Sequence, residues 1–475
     1  MPLIIFFLLA FFSLFLAINN KLLILAFLLF LFSLFFVFKH NLREAFFLGL
    51  LFVLPFERGI RDWIIEVVPS GPDFWFEGYS FYFAFSLKAI CVLMLILLFF
   101  LKRGRKGSIK SKPALWLLVC FFLTAVISTL TTEDFNLTLL GLVRLTSTIS
   151  IFFISLYFFD KKALRKDFRT YIVALLFFLG FIGSWQLVSG HPIGIFLEET
   201  TITRPFGYRT TDGVELYRVS GLMGHPTFFA AFLSLLFVAG VCLLLNELRK
   251  GKKRKFLLYF YTLSVVLGAI ALFGTFSRSA WIAVFLSLAI ICFKVFKNRK
   301  FKNIISNYAS KPFFIILFSM LIGVFFYLFG SQFVFRLNSF RDIWITGNGR
   351  GRLNLMIRSW QMVQDFPLFG VGLNRFTKAI MDYNLSLEEK TFLYPVHNTF
   401  LLFFAETGIF GGFLFFGFFA FCLSKIYKKA SKNWLNFGIW LAVFTFFINA
   451  QFHTLFSLDP SLDLTMVMMA YLLNL

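Results

Sequence analysis

Charge is scarce in this chain, and acid scarcer still: 15% of its 475 residues are charged, with 23 Asp and Glu against 46 Lys and Arg. Soluble globular chains are nearer a quarter charged. Cysteine is equally sparse. Cys91, Cys120, Cys242, Cys292 and Cys422 lie in or beside apolar runs without CxxC or metal-ligand spacing, which excludes a disulfide framework or zinc cluster as the basis of the fold. The chain has no GxxxxGK[ST] for nucleotide phosphates, no HExxH for zinc and no DxD for a metal–diphosphate complex. Those gaps argue against a cytoplasmic ATP-driven machine and against a divalent-metal glycosyltransferase.

What fills the sequence is hydrophobic: 59% of residues, 76 of them Phe. The apolar residues come in long runs, and about 18 uncharged residues suffice to cross a bilayer as a helix. The fold expected is all-α, a polytopic integral membrane protein of about 12–14 helices forming a single membrane domain over 1–475. Spans are predicted at 2–18, 21–38, 43–55, 79–101, 114–131, 137–159, 170–189, 226–247, 257–274, 280–296, 313–330, 398–421, 435–450 and 460–474. The first run lacks a basic leader and a small-residue cleavage site, so it reads as a span and not a signal peptide.

The net charge of +23 would suit nucleic acid, but its distribution points to topology instead. Loops 39–43, 102–112, 161–169, 249–255, 294–311 and 425–432 hold 29 Lys and Arg, whereas the longer opposite set holds 14. The positive-inside rule puts the first set, and with it both termini, in the cytoplasm. No nucleic-acid partner is expected. The opposite face carries two substantial loops, 190–225 and 331–397. In the second, Leu353, Met356, Ile357, Trp360 and Val363 recur at helical spacing opposite Asn354, Arg358, Gln361 and Asp365, predicting an amphipathic helix on the membrane surface that ends before Pro367. Long ordered loops are usually functional, so chemistry is expected on this outer face.

Candidate residues there are cations and one histidine: Arg218, Arg278, Arg350, Arg352 and His397. Lys88 and Arg144 fall inside predicted spans, where a charge costs about 2.5 kcal/mol or more and usually faces a cavity or partner. The only carboxylate read in a span interior is Glu406, so an anionic substrate is the expected counter-charge, a diphosphate suiting several guanidinium forks. Arg350 and Arg352 equally suit lipid headgroups, and Lys88 and Arg144 suit snorkelling. His40, His191 and His453 read as structural; His225, beside Arg218, fits either role. His397 stands where a span leaves the long loop, and on an ideal helix Gly408 and Gly411 share its face, letting a neighbouring helix approach. Glu406 falls opposite and is expected to pair with another helix.

His397-Asn398, followed after nine residues by Gly408-Ile-Phe-Gly411, resembles the H-[NSQ]-x9-GxxG pattern of bacterial O-antigen ligases, and Arg218-Val-Ser-Gly-Leu222 resembles their R-x3-L pattern. Thr275-Phe-Ser-Arg278-Ser-Ala-Trp281 and Gly351-Arg352-Leu353 through Pro367-Leu-Phe-Gly370-Val-Gly372 resemble further segments of the wider ligase/polymerase family. The resemblance implies a GT-C-like glycosyltransferase of the bacterial inner membrane with a periplasmic active site. It also implies an undecaprenyl-diphosphate-linked glycan as donor and a lipid A–core sugar hydroxyl as acceptor. No cofactor is expected. Within it His397 is the expected catalytic base, and Arg218, Arg278, Arg352 and Arg144 the diphosphate-binding cations. A same-family O-antigen polymerase, or from another class a lipid-linked glycan flippase or transporter, fits the same sequence less closely.

Overall fold

The computed structural model describes residues 42–55, 64–66, 82–84, 87–101, 112–193, 208–211, 214–249, 255–298, 330, 334, 347–386, 394–455 and 460–475. The spans predicted at 2–18, 21–38 and most of 313–330 lie outside them. The protein is an all-helical polytopic membrane protein. Its helices are α1 (Leu42–Val53), α2 (Leu87–Leu101), α3 (Lys112–Leu130), α4 (Phe135–Phe158), α5 (Lys162–Ser189), α6 (Pro226–Arg249) and α7 (Lys255–Gly274). After them come α8 (Arg278–Lys297), α9 (Gly347–Asp365), the single turn α10 (Phe376–Ala379), α11 (Thr399–Ala430), α12 (Trp434–Asn449) and α13 (Pro460–Leu473). Two small antiparallel strand pairs, Ile64–Glu66 with Tyr82–Ala84 and Tyr208–Thr211 with Val214–Tyr217, sit in connections.

Among the described residues seven helices, α3 to α8 and α11, are long and apolar enough to cross a membrane; α2, α12 and α13 are shorter apolar helices. Phe100, Phe285, Phe296 and Trp116 are left 66–83% exposed on helix flanks. A large aromatic surface of that kind fits lipid, where exposing it carries no hydrophobic penalty. The helix pairs close on small residues: a Cβ on Gly180 of α5 would lie 2.7 Å from the Gly268 amide of α7, and one on Gly438 of α12 would lie 2.6 Å from Cys242 of α6.

The connections alternate between two ends of the bundle. At one end Lys161 pairs with Glu44, Arg165 donates to the Asn474 carbonyl, Arg169 to the Tyr471 hydroxyl and Lys294 to the Ser431 carbonyl. These basic residues belong to the loops expected to share one membrane side. The opposite end gathers the 218–225, 275–279, 367–378 and 394–398 segments.

Lys88 corrects an expectation. Its ammonium lies 2.8 Å from Asp463 Oδ2, whose other oxygen accepts from Thr148 Oγ1 at 2.7 Å. Lys88 therefore has a helix-borne counter-ion and awaits no anionic substrate. Asp463 lies only three residues into α13, where sequence alone shows no contact with α2. Both side chains are at least 90% buried, so removing one partner strands the other charge. Asp463→Ala is expected to cost about 3–5 kcal/mol, with the Lys88→Met/Asp463→Leu pair costing clearly less, as read from thermal unfolding in detergent.

α11 is not continuous. Gly408 has φ 73° and ψ −176°, outside the helical region. In an unbroken helix the Ala405 and Glu406 carbonyls would accept from residues 409 and 410. Here they accept from Val371 N (2.9 Å) and Gly372 N (3.1 Å), Glu406 O also takes Ser128 Oγ (2.7 Å), and Ile409 N donates to Pro367 O (2.8 Å). The turn 367–372 is thus stapled into the break. Gly408 does not serve close helix packing as expected; it makes the break. A Cβ there would lie 2.3 Å from Leu368 O at a φ that L residues avoid. Gly408→Ala should lose about 3 kcal/mol of stability or more, and a melting temperature equal to the parent's would refute this account of the break.

Candidate functional site

His397 lies before the amino end of α11, not on it. Asn398 is the N-cap, its Oδ1 accepting from Leu401 N at 3.0 Å, the interaction for which Asn is favoured at this position. Thr399 then ties the turn to the end of α12: its N–H donates to Ala450 O (2.8 Å), its hydroxyl donates to His453 O (2.7 Å) and accepts from Leu455 N (2.8 Å). These bonds bring the His453 ring to 6.4 Å from that of His397, centroid to centroid. Since His397 is outside the helix, the ideal-helix face expected for it with Gly408 and Gly411 does not exist. Glu406 holds α10 instead, its Oε1 accepting from Phe376 N at 3.2 Å.

The third wall is the Thr275-Phe-Ser-Arg-Ser279 turn between α7 and α8. Phe276 is held at φ 48°, a left-handed conformation that is a strained outlier for a bulky residue. The strain turns Ser277, Arg278 and Ser279 toward the same end of the bundle. Ser279 Oγ lies 2.5 Å from His453 Nε2 and 3.2 Å from Ser277 Oγ, and all three residues are buried. Ser277 is the N-cap position of α8, yet its side chain makes no cap bond; its hydroxyl is committed to Ser279.

Arg218 closes the group. Its Nε donates to Thr275 O (2.9 Å), and the next residue's N–H donates to Gly274 O (2.9 Å). Gln186 of α5 grips Gly221 with both amide atoms, at 3.0 and 2.8 Å. The Arg218–Leu222 segment is therefore pinned between α5 and the α7–α8 turn. His225, opening α6, accepts from Thr227 N through Nδ1 at 3.2 Å.

Electrostatics bind these parts together. Burial, then the Arg352 guanidinium of α9, push the His397 imidazole down to about 3, against a backbone hydrogen bond at Pro395. His453 is held well below its ordinary value by burial and by the charges of Arg352, His397, His225 and Arg218. Both imidazoles are neutral across the physiological range, in a field that favours an incoming anion.

The structure thus brings His397, Arg352 and Arg218 into one group, with half-buried Arg278 in the same turn as Ser279. Arg350 is exposed. Arg144 lies on α4, one turn from Thr148 of the Lys88–Asp463 pair and one from Gly141, where a Cβ would strike Asn374. His453 was read as structural, and the hydroxyls of Ser277 and Ser279 carried no role. The predicted amphipathic helix is present as α9, ending at Asp365, but with three faces. Leu353, Met356, Ile357 and Trp360 are exposed, whereas Leu355, Ser359, Met362 and Val363 are buried on the bundle. Arg352 lies beside the buried face by helical spacing.

Away from the histidines, Arg375 and Lys378 both pair with Asp134 at the amino end of α4. Burial opposes ionisation of this carboxyl, but the two cations hold it below its ordinary value.

No curated protein matches the chain. Residues 263–416, from α7 to the middle of α11, match the family model described as O-Antigen ligase. That segment contains the Ser-Arg turn, Arg352, the 367–372 staple and His397, but not Arg218-Val-Ser-Gly-Leu222, on which the resemblance was also read. Through residues 263–416, about a third of its length, the chain is similar to the O-antigen ligase family.

Proposed function

We propose that this protein transfers a glycan from undecaprenyl diphosphate to a sugar hydroxyl of lipid A–core at the periplasmic face of the inner membrane, without metal or ATP. The single observation that carries the reading is a half-buried neutral imidazole, His397, set beside Arg352 within a segment matching the O-antigen ligase family and near the Arg218-bearing turn. The acceptor oxygen attacks the anomeric carbon, forming the new glycosidic bond as the bond to the lipid diphosphate breaks. His397 takes the hydroxyl proton, general-base catalysis of a kind worth about 10²–10⁴-fold. Arg218, Arg278 and Arg352 stabilise charge developing on the diphosphate, each such contact contributing about 3 kcal/mol. Arg144 of α4 is assigned to the same anion.

The low basicity of His397 is set by burial and by Arg352. A diphosphate against Arg352 offsets the charge that depresses it, so donor binding raises the base toward its working range. The acid limb of kcat/KM, which reports the free enzyme, therefore lies near pH 3, and that of kcat lies higher. Between pH 7 and pH 5 kcat/KM should fall less than twofold; a base with the ordinary value of about 6.5 would give about a 25-fold fall. A fall of that larger size would remove His397, as described, from the base role.

The reaction itself is checked with purified full-length protein, undecaprenyl-diphosphate-linked glycan and lipid A–core, in EDTA and without nucleotide. The parent is expected to decorate lipid A, with His397→Ala and Arg278→Ala each losing transfer by at least a hundredfold. Longer lipid-linked chains with no lipid A product would establish the polymerase reading instead. Lipid-linked glycan moved across a membrane with both products absent, and unaffected by His397→Ala, would make the protein a transporter.

A further inference from the structure

The group around His397 contains a second imidazole that general-base catalysis does not use. His453 comes from the segment after α12, outside the matched residues 263–416. It is buried, and Nε2 meets Ser279 Oγ at 2.5 Å. Its backbone carbonyl is bonded by Thr399, so the ring is held from two directions. Among the described residues, the groups facing it are cationic or neutral: Arg352 from α9, His397 before α11, His225 before α6, Arg218, and Ser279 from α8.

A neutral imidazole has one N–H and one bare nitrogen, and the hydrogen's location sets the polarity of everything bonded to it. With the hydrogen on Nδ1, Ser279 spends its hydroxyl hydrogen on the ring. With the hydrogen on Nε2, Ser279 accepts from the ring and its own hydrogen is available to donate outward or to Ser277 Oγ, 3.2 Å away. The acceptors of this turn are already engaged: Thr275 O takes Arg218, and Ser277 O takes Trp281 N. What the turn offers beside Arg278 is a pair of hydroxyls.

We propose that His453 is a positioning residue: its Nε2–H donates to Ser279 Oγ, which also accepts from Ser277, and so turns the Ser279 hydroxyl outward as a hydrogen-bond donor to a phosphate oxygen of the diphosphate leaving group. The assignment rests on the glycosyl-transfer reading for the identity of that anion. Ser279 touches the ligand; His453 acts through it. The arrangement supplies a neutral donor among the guanidinium groups, fixing the orientation of the anion where arginine charge alone attracts it from any direction.

The test uses the full chain in lipid nanodiscs, with undecaprenyl diphosphate as the binding probe and the transfer reaction run in parallel. Ser279→Ala and His453→Ala are expected to weaken binding about tenfold to a hundredfold. The double variant should lose no more than the worse single one, because the two act as one unit. His453→Gln, whose amide places a donor near Nε2, should recover most of the loss; melting temperatures of Ser279→Ala and His453→Gln should stay near the parent's. Parental affinity in Ser279→Ala, additive losses in the double variant, or no recovery with Gln would each overturn the proposal. A parent that binds the diphosphate and fails to transfer defeats the transferase reading alone. A parent that transfers while Ser279→Ala binds normally defeats the positioning role alone.

Discussion

Backbone amides and carbonyls buried in lipid-embedded protein need partners within the fold, and the break in α11 is where that demand organises the molecule. Opening the helix at Gly408 frees the carbonyls of Ala405 and Glu406 and the amide of Ile409. The 367–372 turn satisfies all three. It begins two residues after α9 ends, so the same bonds that heal α11 fix where α9 lies. Arg352 rides on α9 and His397 on the approach to α11. Their mutual placement follows from the backbone accounting at Gly408, some fifteen ångströms of helix below the imidazole at 1.5 Å per residue.

That placement has an electrostatic consequence. Burial is the larger cause of the low basicity of His397 and the Arg352 charge deepens it, so an imidazolium there is disfavoured. The site therefore keeps its histidines neutral and presents its positive charge on arginines that do not titrate. Such a site discriminates by charge: an anion relieves the field, whereas a neutral or cationic ligand gains nothing from it.

Much of this was legible in the sequence, because apolar run length and loop charge act locally. The amphipathic repeat of α9 was readable for the same reason, although periodicity alone could not show that Leu355 and Met362 form a second apolar face against the bundle. Gly408 and Gly411 fit a helix-packing pattern equally well; only a dihedral angle separates close approach from rupture. Asp463 and Lys88 are 375 positions apart, and Ser279 and His453 are 174 apart. No spacing rule connects residues so distant. Sequence reading found the cations of the site and missed the neutral groups that orient them, since charge announces itself in an apolar chain and a hydroxyl does not.

The recurring motifs gain a different meaning once their bonds are traced. In His397-Asn398, the Asn is a helix cap. In Arg218-x3-Leu222, Gly221 is gripped by Gln186, and in the Ser-Arg turn Phe276 bears the strained φ. Most motif positions thus maintain backbone geometry, and only a few meet a ligand. The group also draws on residues beyond the matched segment. Arg218, His225 and Gln186 precede it and His453 follows it, so residues 263–416 alone hold His397 and Arg352 but lack the residues packed around them. The site is a property of the assembled bundle, and the family segment is the part of it whose backbone demands are strict enough to leave a readable pattern.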